Sequence, residues 1–143
     1  MKKTFRKTLT ANDVGATGGH QAGVHIPKKE LELLDMLPPL PPEVKNPDAW
    51  ILCIDDAGNE LKFRYIYYNN KLHDEKGTRN EYRVTHMMKW FKDVGASAGD
   101  EFEISREEES DQFSIRLLKK ERAAATNDEG AVRIRLTNWR RVH

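Results

Sequence analysis

Arginine, asparagine and glutamate occur together in a short polar stretch, residues Arg79 to Arg83, which reads RNEYR. An arginine can donate two parallel hydrogen bonds to guanine, an asparagine can bind adenine in the same way, and a glutamate can accept a hydrogen bond from cytosine N4. The stretch therefore carries the side-chain types that distinguish base edges in the major groove of DNA. A solvated loop held by local salt bridges is the alternative interpretation of the same residues.

A second segment, Ala11 to Pro27, is rich in glycine and hydrogen-bonding side chains. It reads ANDVGATGGHQAGVHIP, and its apolar residues are too few and too scattered to form a core element. It lacks the Gly-Lys-Ser/Thr ending of a phosphate-binding Walker loop. We therefore expect a loop that reaches a polar partner, with five candidate contact residues: Asn12, Asp13, His20, Gln21 and His25.

The elements that position these two segments are mostly strands. Alternation of apolar and polar residues predicts strands over residues 4–10, 23–27, 49–56, 60–68, 81–86, 100–107, 112–120 and 131–137. Two short helices are predicted over 28–37, with Leu31, Leu34 and Leu37 on one face, and over 86–95, ending at Gly95. This pattern predicts a mainly β fold, a closed or nearly closed barrel of seven to eight strands with two short helices, in one domain over 1–143.

The charges are unevenly distributed along the chain, although the net charge is only +1. Lysines and arginines dominate the first ten residues and the last ten, whereas acids collect between Glu101 and Asp111. This distribution favours one basic and one acidic face, and a basic face is typical of a protein that binds a polyanion.

The single cysteine, Cys53, lies in the apolar run WILCI and is expected to be buried. One cysteine forms no disulfide within the chain, which favours a reducing compartment. No apolar run approaches the ~18 residues of a membrane span, and the basic start is not followed by the apolar segment of a signal peptide. We therefore expect a cytoplasmic protein with no membrane partner.

A different class of function is raised by Asp48, Glu60 and Lys62, which match the Pro-Asp…Glu-x-Lys pattern of metal-dependent nucleases. Two carboxylates would hold Mg²⁺, and the lysine would help to activate water. However, the predicted hairpin separates Asp48 from Glu60 by roughly 20 Å along a strand, too far for one metal ion. The histidines show no metal-ligand spacing either, so we expect no metal and no cofactor.

The two polar segments resemble a known family. The stretches LTANDVGATGGHQAGVHIP and RYIYYNNKLHDEKGTRNEYRVT are similar to the amino-terminal DNA-recognition (effector) domain of EcoRII-type restriction endonucleases. The resemblance implies a DNA-binding pseudobarrel whose two polar arms, about 7–27 and 69–83, enter the DNA groove from opposite sides. It also implies a target like 5′-CC(A/T)GG.

The resemblance carries over to particular residues. Five of them stand at matching functional positions: Lys7, His20, Arg79, Glu81 and Arg83. His25 stands where the family has tyrosine, Tyr82 where it has lysine, and Lys76 one place from a family lysine.

These matches suggest a role for each side chain. We assign Arg79 and Arg83 to guanine edges, and Glu81 to cytosine N4 or to orienting an arginine. His20 and Asn80 are assigned to bases, and Lys7 and Lys76 to phosphates. Together with Asn12, Asp13, Gln21, His25 and Tyr82, they make up the expected DNA-binding set.

The expected partner is double-stranded DNA, bound by a monomer. A barrel occupies the whole chain, so we expect no catalytic site in it. The chain is then either the recognition domain of a parent protein that carries a covalently linked nuclease domain elsewhere, or a free-standing DNA binder. Two alternatives remain: a self-sufficient Mg²⁺-dependent nuclease that uses Asp48, Glu60 and Lys62, and a barrel that binds RNA or protein instead.

Overall fold

The computed structural model describes residues 2–15, 23–120 and 139–142. Eight strands in these ranges form one sheet: β1 Lys3–Thr8, β2 Gly23–Ile26, β3 Asp48–Asp55, β4 Glu60–Tyr68, β5 Glu81–Thr85, β6 Glu101–Arg106, β7 Gln112–Leu118 and β8 Trp139–Arg141. Three short helices connect them: α1 Leu31–Met36, α2 Asn70–His73 and α3 Met88–Val94. The spatial order of the strands is β2-β5-β4-β3-β7-β6-β1-β8, and every neighbouring pair is antiparallel except β3 and β7.

The sheet curls until its two edge strands, β2 and β8, lie close together. Across the gap between them, here called the seam, the indole N–H of Trp139 donates a hydrogen bond to the backbone carbonyl of His25 at 2.9 Å. The described residues thus form a nearly closed barrel, which confirms the predicted fold class.

Inward-facing side chains of the strands fill the barrel with aromatic and branched residues, and Phe5, Phe63, Tyr65 and Phe102 are almost fully buried. Burial of side chains of this size stabilises the fold by roughly 1.5–3 kcal/mol each. The helix α3 covers the core with Trp90, whose indole N–H donates to the buried carboxylate of Asp55 at 3.0 Å.

Both predicted helices are present, but their details differ from expectation. In α1 the core contacts come from Leu33 and Met36, while Leu31 is 72% exposed, so the predicted buried face was wrong at Leu31. Gly95 ends α3 as predicted, in the left-handed conformation with φ of 70°.

The sequence patterns missed two short elements, α2 and β8. The strand predicted over 131–137 lies outside the described residues.

The basic start of the chain and its acidic stretch occupy adjacent strands. Arg6 on β1 lies opposite Glu103 on β6 and binds its carboxylate at 2.9 Å, and Arg116 on β7 binds the same carboxylate at 2.8 Å. These charges neutralise one another across the sheet. The expectation of separate basic and acidic faces is therefore wrong at these residues, because strand pairing joins what the sequence keeps apart.

Cys53 is fully buried, as predicted, and burial raises the pKa of its thiol to about 12. The thiol is therefore protonated at neutral pH and serves as a small apolar side chain. Within the described ranges, no helix has the length and apolar character needed to cross a membrane.

Candidate nucleic-acid interface

Two arginines share one carboxylate at the start of β5. Glu81 and Arg83 point to the same side of the strand because they are two residues apart. Glu81 Oε2 accepts hydrogen bonds from Arg79 Nη2 at 3.1 Å and from Arg83 Nη1 at 3.2 Å. Burial alone would raise the pKa of Glu81, but the hydrogen bonds from the two arginines outweigh it and hold that pKa below its usual value. The carboxylate is therefore ionised at neutral pH and fixes both guanidinium groups.

Arg79 is also held through its backbone and its aromatic neighbour. Its N–H donates to Asn70 Oδ1 at 2.8 Å, and its carbonyl accepts from the N–H of Lys71 at 3.0 Å. The guanidinium carbon lies 3.7 Å from the centre of the Tyr68 ring, within the range of a cation–π contact. The helix α2, which begins at Asn70, thus supports the predicted recognition residue Arg79.

Gly77 makes this arrangement possible. A Cβ atom at this position would lie 2.1 Å from the carbonyl oxygen of Asn70, far inside van der Waals contact. A glycine, which has no side chain, allows a close backbone approach. The structure shows such an approach within the chain itself, between the loop and α2.

Asn80 and Tyr82 contact the barrel. Asn80 Oδ1 accepts a hydrogen bond from the hydroxyl of Tyr67, and the Tyr82 ring stacks on that of Tyr67 with centroids 4.2 Å apart. Tyr82 also lies 6.0 Å from Tyr65. In this structure Tyr82 packs toward the core, which differs from the role expected for it at the DNA.

The glycine-rich segment begins at a buried ion pair. Lys7 Nζ lies 2.5 Å from Asp13 Oδ2, and the two residues are 5% and 4% exposed. The same carboxylate accepts the N–H of Thr10, and the carbonyl of Asp13 accepts the N–H of Gly23 at the start of β2. Asp13 therefore ties both described ends of the segment to the barrel. The charge of Lys7, expected to contact a phosphate, is satisfied inside the protein.

The two polar segments meet in a pocket of about 290 Å³ at the seam. Its lining comes from β1, the start of the glycine-rich segment, β2, β5 and β8: Lys7, Thr10, Asn12, Asp13, His25, Pro27, Glu81, Arg83 and Trp139. Burial lowers the pKa of His25, and the attraction of Glu81 only partly opposes this effect. The imidazole is therefore neutral near pH 7, when it can both donate and accept a hydrogen bond.

Six of the predicted site residues line this pocket: Lys7, Asn12, Asp13, His25, Glu81 and Arg83. Arg79 joins them through Glu81, whereas Lys76 lies exposed on the loop before β5. The predictions for His20 and Gln21 fall outside the described residues. The expected DNA-binding set did not include Tyr68, whose ring contacts Arg79, or Trp139, which lines the pocket.

The strand register bears on the alternative nuclease site. Asp48 pairs with Ile66 and Glu60 with Ile54, so six positions at ~3.3 Å each, roughly 20 Å, separate the two carboxylates along the hairpin. Asp48 instead binds Arg64 at 2.6 Å. In the described part of the chain, no three His, Cys, Asp or Glu side chains converge on a possible metal position. Asp48 and Glu60 therefore cannot share one metal ion in this fold.

A comparison with solved structures identifies the class of the fold. The Arabidopsis FUS3–DNA complex matches with a TM-score of 0.60 and 23% sequence identity, over 81% of this chain and 96% of that one. At this identity the match shows a common fold alone. Together with the strand order, it gives the chain the pseudobarrel fold of that protein.

The family follows from the sequence comparisons. The model of the family "Restriction endonuclease EcoRII, N-terminal" matches residues 2–100, which is most of the chain. The chain therefore belongs to this family, and the resemblance seen in the two polar segments is confirmed.

Two curated relatives match parts of this chain. The type II restriction enzyme EcoRII of Escherichia coli is 39% identical over 91 residues, 59% of this chain and 20% of that enzyme. Auxin response factor 14 of Oryza sativa subsp. japonica is 36% identical over 67 residues, 47% of this chain and 9% of that protein. The match thus spans about a fifth of the restriction enzyme and less than a tenth of the plant protein.

Proposed function

We propose that this chain is the sequence-specific DNA-recognition domain of a type II restriction endonuclease. It binds a 5′-CC(A/T)GG-like site in duplex DNA as a monomer, and the nuclease domain is a separate, covalently linked unit. Family membership supports the class of protein, and the solved pseudobarrel neighbour in complex with DNA supports the class of partner.

The observation that carries the proposal is the pair of arginines on one carboxylate. Each guanidinium has five N–H donors, and Glu81 is within hydrogen-bond distance of one nitrogen of each. The remaining donors of Arg79 and Arg83 can bind N7 and O6 of guanine, the commonest base-specific contact in protein–DNA complexes. Glu81 then acts by orienting the arginines, the second of its two expected roles.

The pocket at the seam supports a joint action of the two arms. His25 and Asn12 from the glycine-rich arm and Arg83 from the other arm line the same pocket. A base edge or phosphate placed at this opening can contact both arms. Lys76, exposed on the loop, is positioned to contact a phosphate, which fixes orientation without sequence information.

The proposal also accounts for the buried Lys7–Asp13 pair. We assign these two residues to anchoring the glycine-rich arm, because a lysine paired at 2.5 Å inside the protein lacks a free charge for a phosphate. His20 and Gln21 stay candidates for base contacts in the same arm.

The test compares two duplexes by fluorescence anisotropy at ~0.15 M salt without Mg²⁺. One contains 5′-CC(A/T)GG, and the other differs by one pair next to the centre. We expect the first to bind at least tenfold more tightly, about 1.4 kcal/mol. Equal affinity for both duplexes would contradict sequence-specific recognition of this target.

Arg79→Ala sharpens the test. It should cost ~1–3 kcal/mol on the cognate duplex and relax discrimination at one base pair. The matched control is Lys76→Ala, which should weaken both duplexes alike and lower the salt dependence of binding by about one unit of slope. If Arg79→Ala weakened both duplexes equally, Arg79 would not read a base.

A further inference from the structure

Tyr68 is the last residue of β4, and its ring lies beneath the guanidinium of Arg79. The sequence placed this tyrosine in the apolar run YIYY and gave it no part in the site. The structure leaves it only partly buried, unlike Tyr65 and Tyr67 of the same strand. Arg79 covers one face of its ring.

We propose that Tyr68 is a specificity-determining positioning residue that acts through Arg79. This inference rests on the proposed function, because the group it positions is the arginine assigned to a base. It adds to that function a residue outside the expected DNA-binding set.

The first step of the argument concerns the freedom of Arg79. A long arginine side chain loses conformational entropy when it is fixed on a base, which reduces the gain in binding free energy. Here it is restrained before DNA arrives: Asn70 and Lys71 bind its backbone, Glu81 binds its guanidinium, and the Tyr68 ring lies 3.7 Å from the guanidinium carbon.

The second step concerns the hydrogen-bonding capacity of Arg79. A cation–π contact uses the charge of the guanidinium and leaves its five N–H donors free for other partners. Tyr68 can therefore orient Arg79 without competing with a base, whereas a second carboxylate would occupy donors that the base needs.

The third step explains why loss of the Tyr68 ring should reduce discrimination between the two duplexes. An arginine that samples several orientations still attracts phosphates through its charge, since that attraction depends little on direction. Two parallel hydrogen bonds to guanine require one orientation. Loss of the Tyr68 ring should thus weaken the cognate duplex and leave a random duplex nearly unaffected.

The experiment compares the wild type with four variants: Tyr68→Leu, Tyr68→Phe as the matched control that keeps the ring, Arg79→Ala, and the double variant Tyr68→Leu/Arg79→Ala. Anisotropy gives the affinity of each for the cognate and single-pair-changed duplexes. NMR of the Arg79 side-chain Nε–H in the free protein reports, without DNA, whether the ring shifts that resonance and restrains its motion.

We expect Tyr68→Leu to reduce the cognate preference about fivefold, the size of effect that a cation–π contact can produce. Tyr68→Phe should retain the preference and the ring-current shift of Arg79. In the Arg79→Ala background, Tyr68→Leu should cause no further loss, because coupled residues are non-additive.

Three results would overturn the role of Tyr68. First, Tyr68→Leu could keep the full cognate preference of a wild type that discriminates between the duplexes. Second, Tyr68→Leu could cause an equally large loss of preference in the Arg79→Ala background. Third, Tyr68→Leu could weaken binding to both duplexes alike, as the loss of a purely structural residue would. A wild type that binds both duplexes equally would overturn the proposed function itself, and the reading role of Tyr68 with it.

Discussion

Two carboxylates organise the positive charges of the candidate interface in different ways. Asp13 is 4% exposed and neutralises Lys7 inside the protein, while Glu81 is partly exposed and holds two arginines at the surface. A buried pair fixes the backbone around it, and an exposed one leaves donors for a partner. Under the proposed function, a carboxylate paired with basic side chains therefore anchors one arm and prepares the other for binding DNA.

Asp13→Asn tests the anchor. The amide oxygen can still accept the N–H of Thr10, but the ammonium of Lys7 loses its counter-charge in a buried position. Removing one partner of a buried pair costs ~3–5 kcal/mol of unfolding free energy, measurable by urea titration.

The double variant Lys7→Met/Asp13→Asn is the control for Asp13→Asn. It removes the stranded charge and should recover most of the loss. A single variant within ~1 kcal/mol of the wild type would show that the pair does not anchor the segment.

His25 should make the stability of the folded protein depend on pH. Because burial lowers the pKa of His25 below the ordinary value of 6.5, the unfolded chain binds the proton more readily than the folded one. The free energy of unfolding should therefore fall as the pH drops from about 6.5 toward the folded pKa.

His25→Gln should flatten this part of the profile, which denaturant unfolding at a series of pH values would measure. Parallel losses in variant and wild type would assign the pH dependence to other groups.

At the scale of elements, strands could be predicted from sequence better than short helices. Alternation marks β3, β4 and β7 clearly, because one face of each strand packs on the core. The four residues of α2 carry no helical period, and their conformation depends on the tertiary contact with Arg79 and Gly77. Such an element leaves no local sequence pattern from which it could be predicted.

The candidate site, too, could be predicted only in part from the sequence. The arginines and Glu81 could be predicted because their types match base edges, and strand alternation puts Glu81 and Arg83 on one side. The contact of the Tyr68 ring with Arg79 could not be predicted, since its neighbours Tyr65 and Tyr67 are core residues in the same apolar run. Nor could the pairing of Lys7 with Asp13, which depends on how the chain turns after β1.

Gly77→Ala tests the contact between the loop and α2. The added Cβ would clash with the carbonyl of Asn70, so the loop must shift and carry Arg79 with it. We expect a loss of ~1–3 kcal/mol in stability, as overpacking causes, together with weaker cognate DNA binding by anisotropy.

Glu75→Ala, an exposed substitution in the same loop, is the control for Gly77→Ala and should change little. Unchanged binding by Gly77→Ala would mean that Arg79 is positioned independently of this loop.

At the scale of the whole molecule, the seam is where neighbouring described strands of the barrel wall are not paired with each other. Among the described strands, β2 pairs only with β5, and β8 only with β1. Across the opening, the indole of Trp139 binds the carbonyl of His25. The candidate interface therefore lies where the sheet is least closed.

Trp139→Phe keeps an aromatic ring but removes the N–H donor. The change should cost about 1 kcal/mol of stability, the usual net value of a hydrogen bond, and should speed hydrogen exchange of the β2 amides more than those of β4. Trp50→Phe, at an aromatic residue that is 54% exposed, is the control. An equal increase in the exchange rates of β2 and β4 in this variant would mean that the seam is held by other contacts.

The contact across the seam joins residues 114 positions apart. During synthesis, at ~5–20 residues per second, the hairpin of β3 and β4 can form early because its contacts are local. The wall that Trp139 adds to the pocket forms only after residue 139 has left the ribosome, long after the hairpin. A nascent chain is thus expected to acquire most of its barrel before its binding surface, so a prematurely terminated product could fold in large part and still lack a complete site.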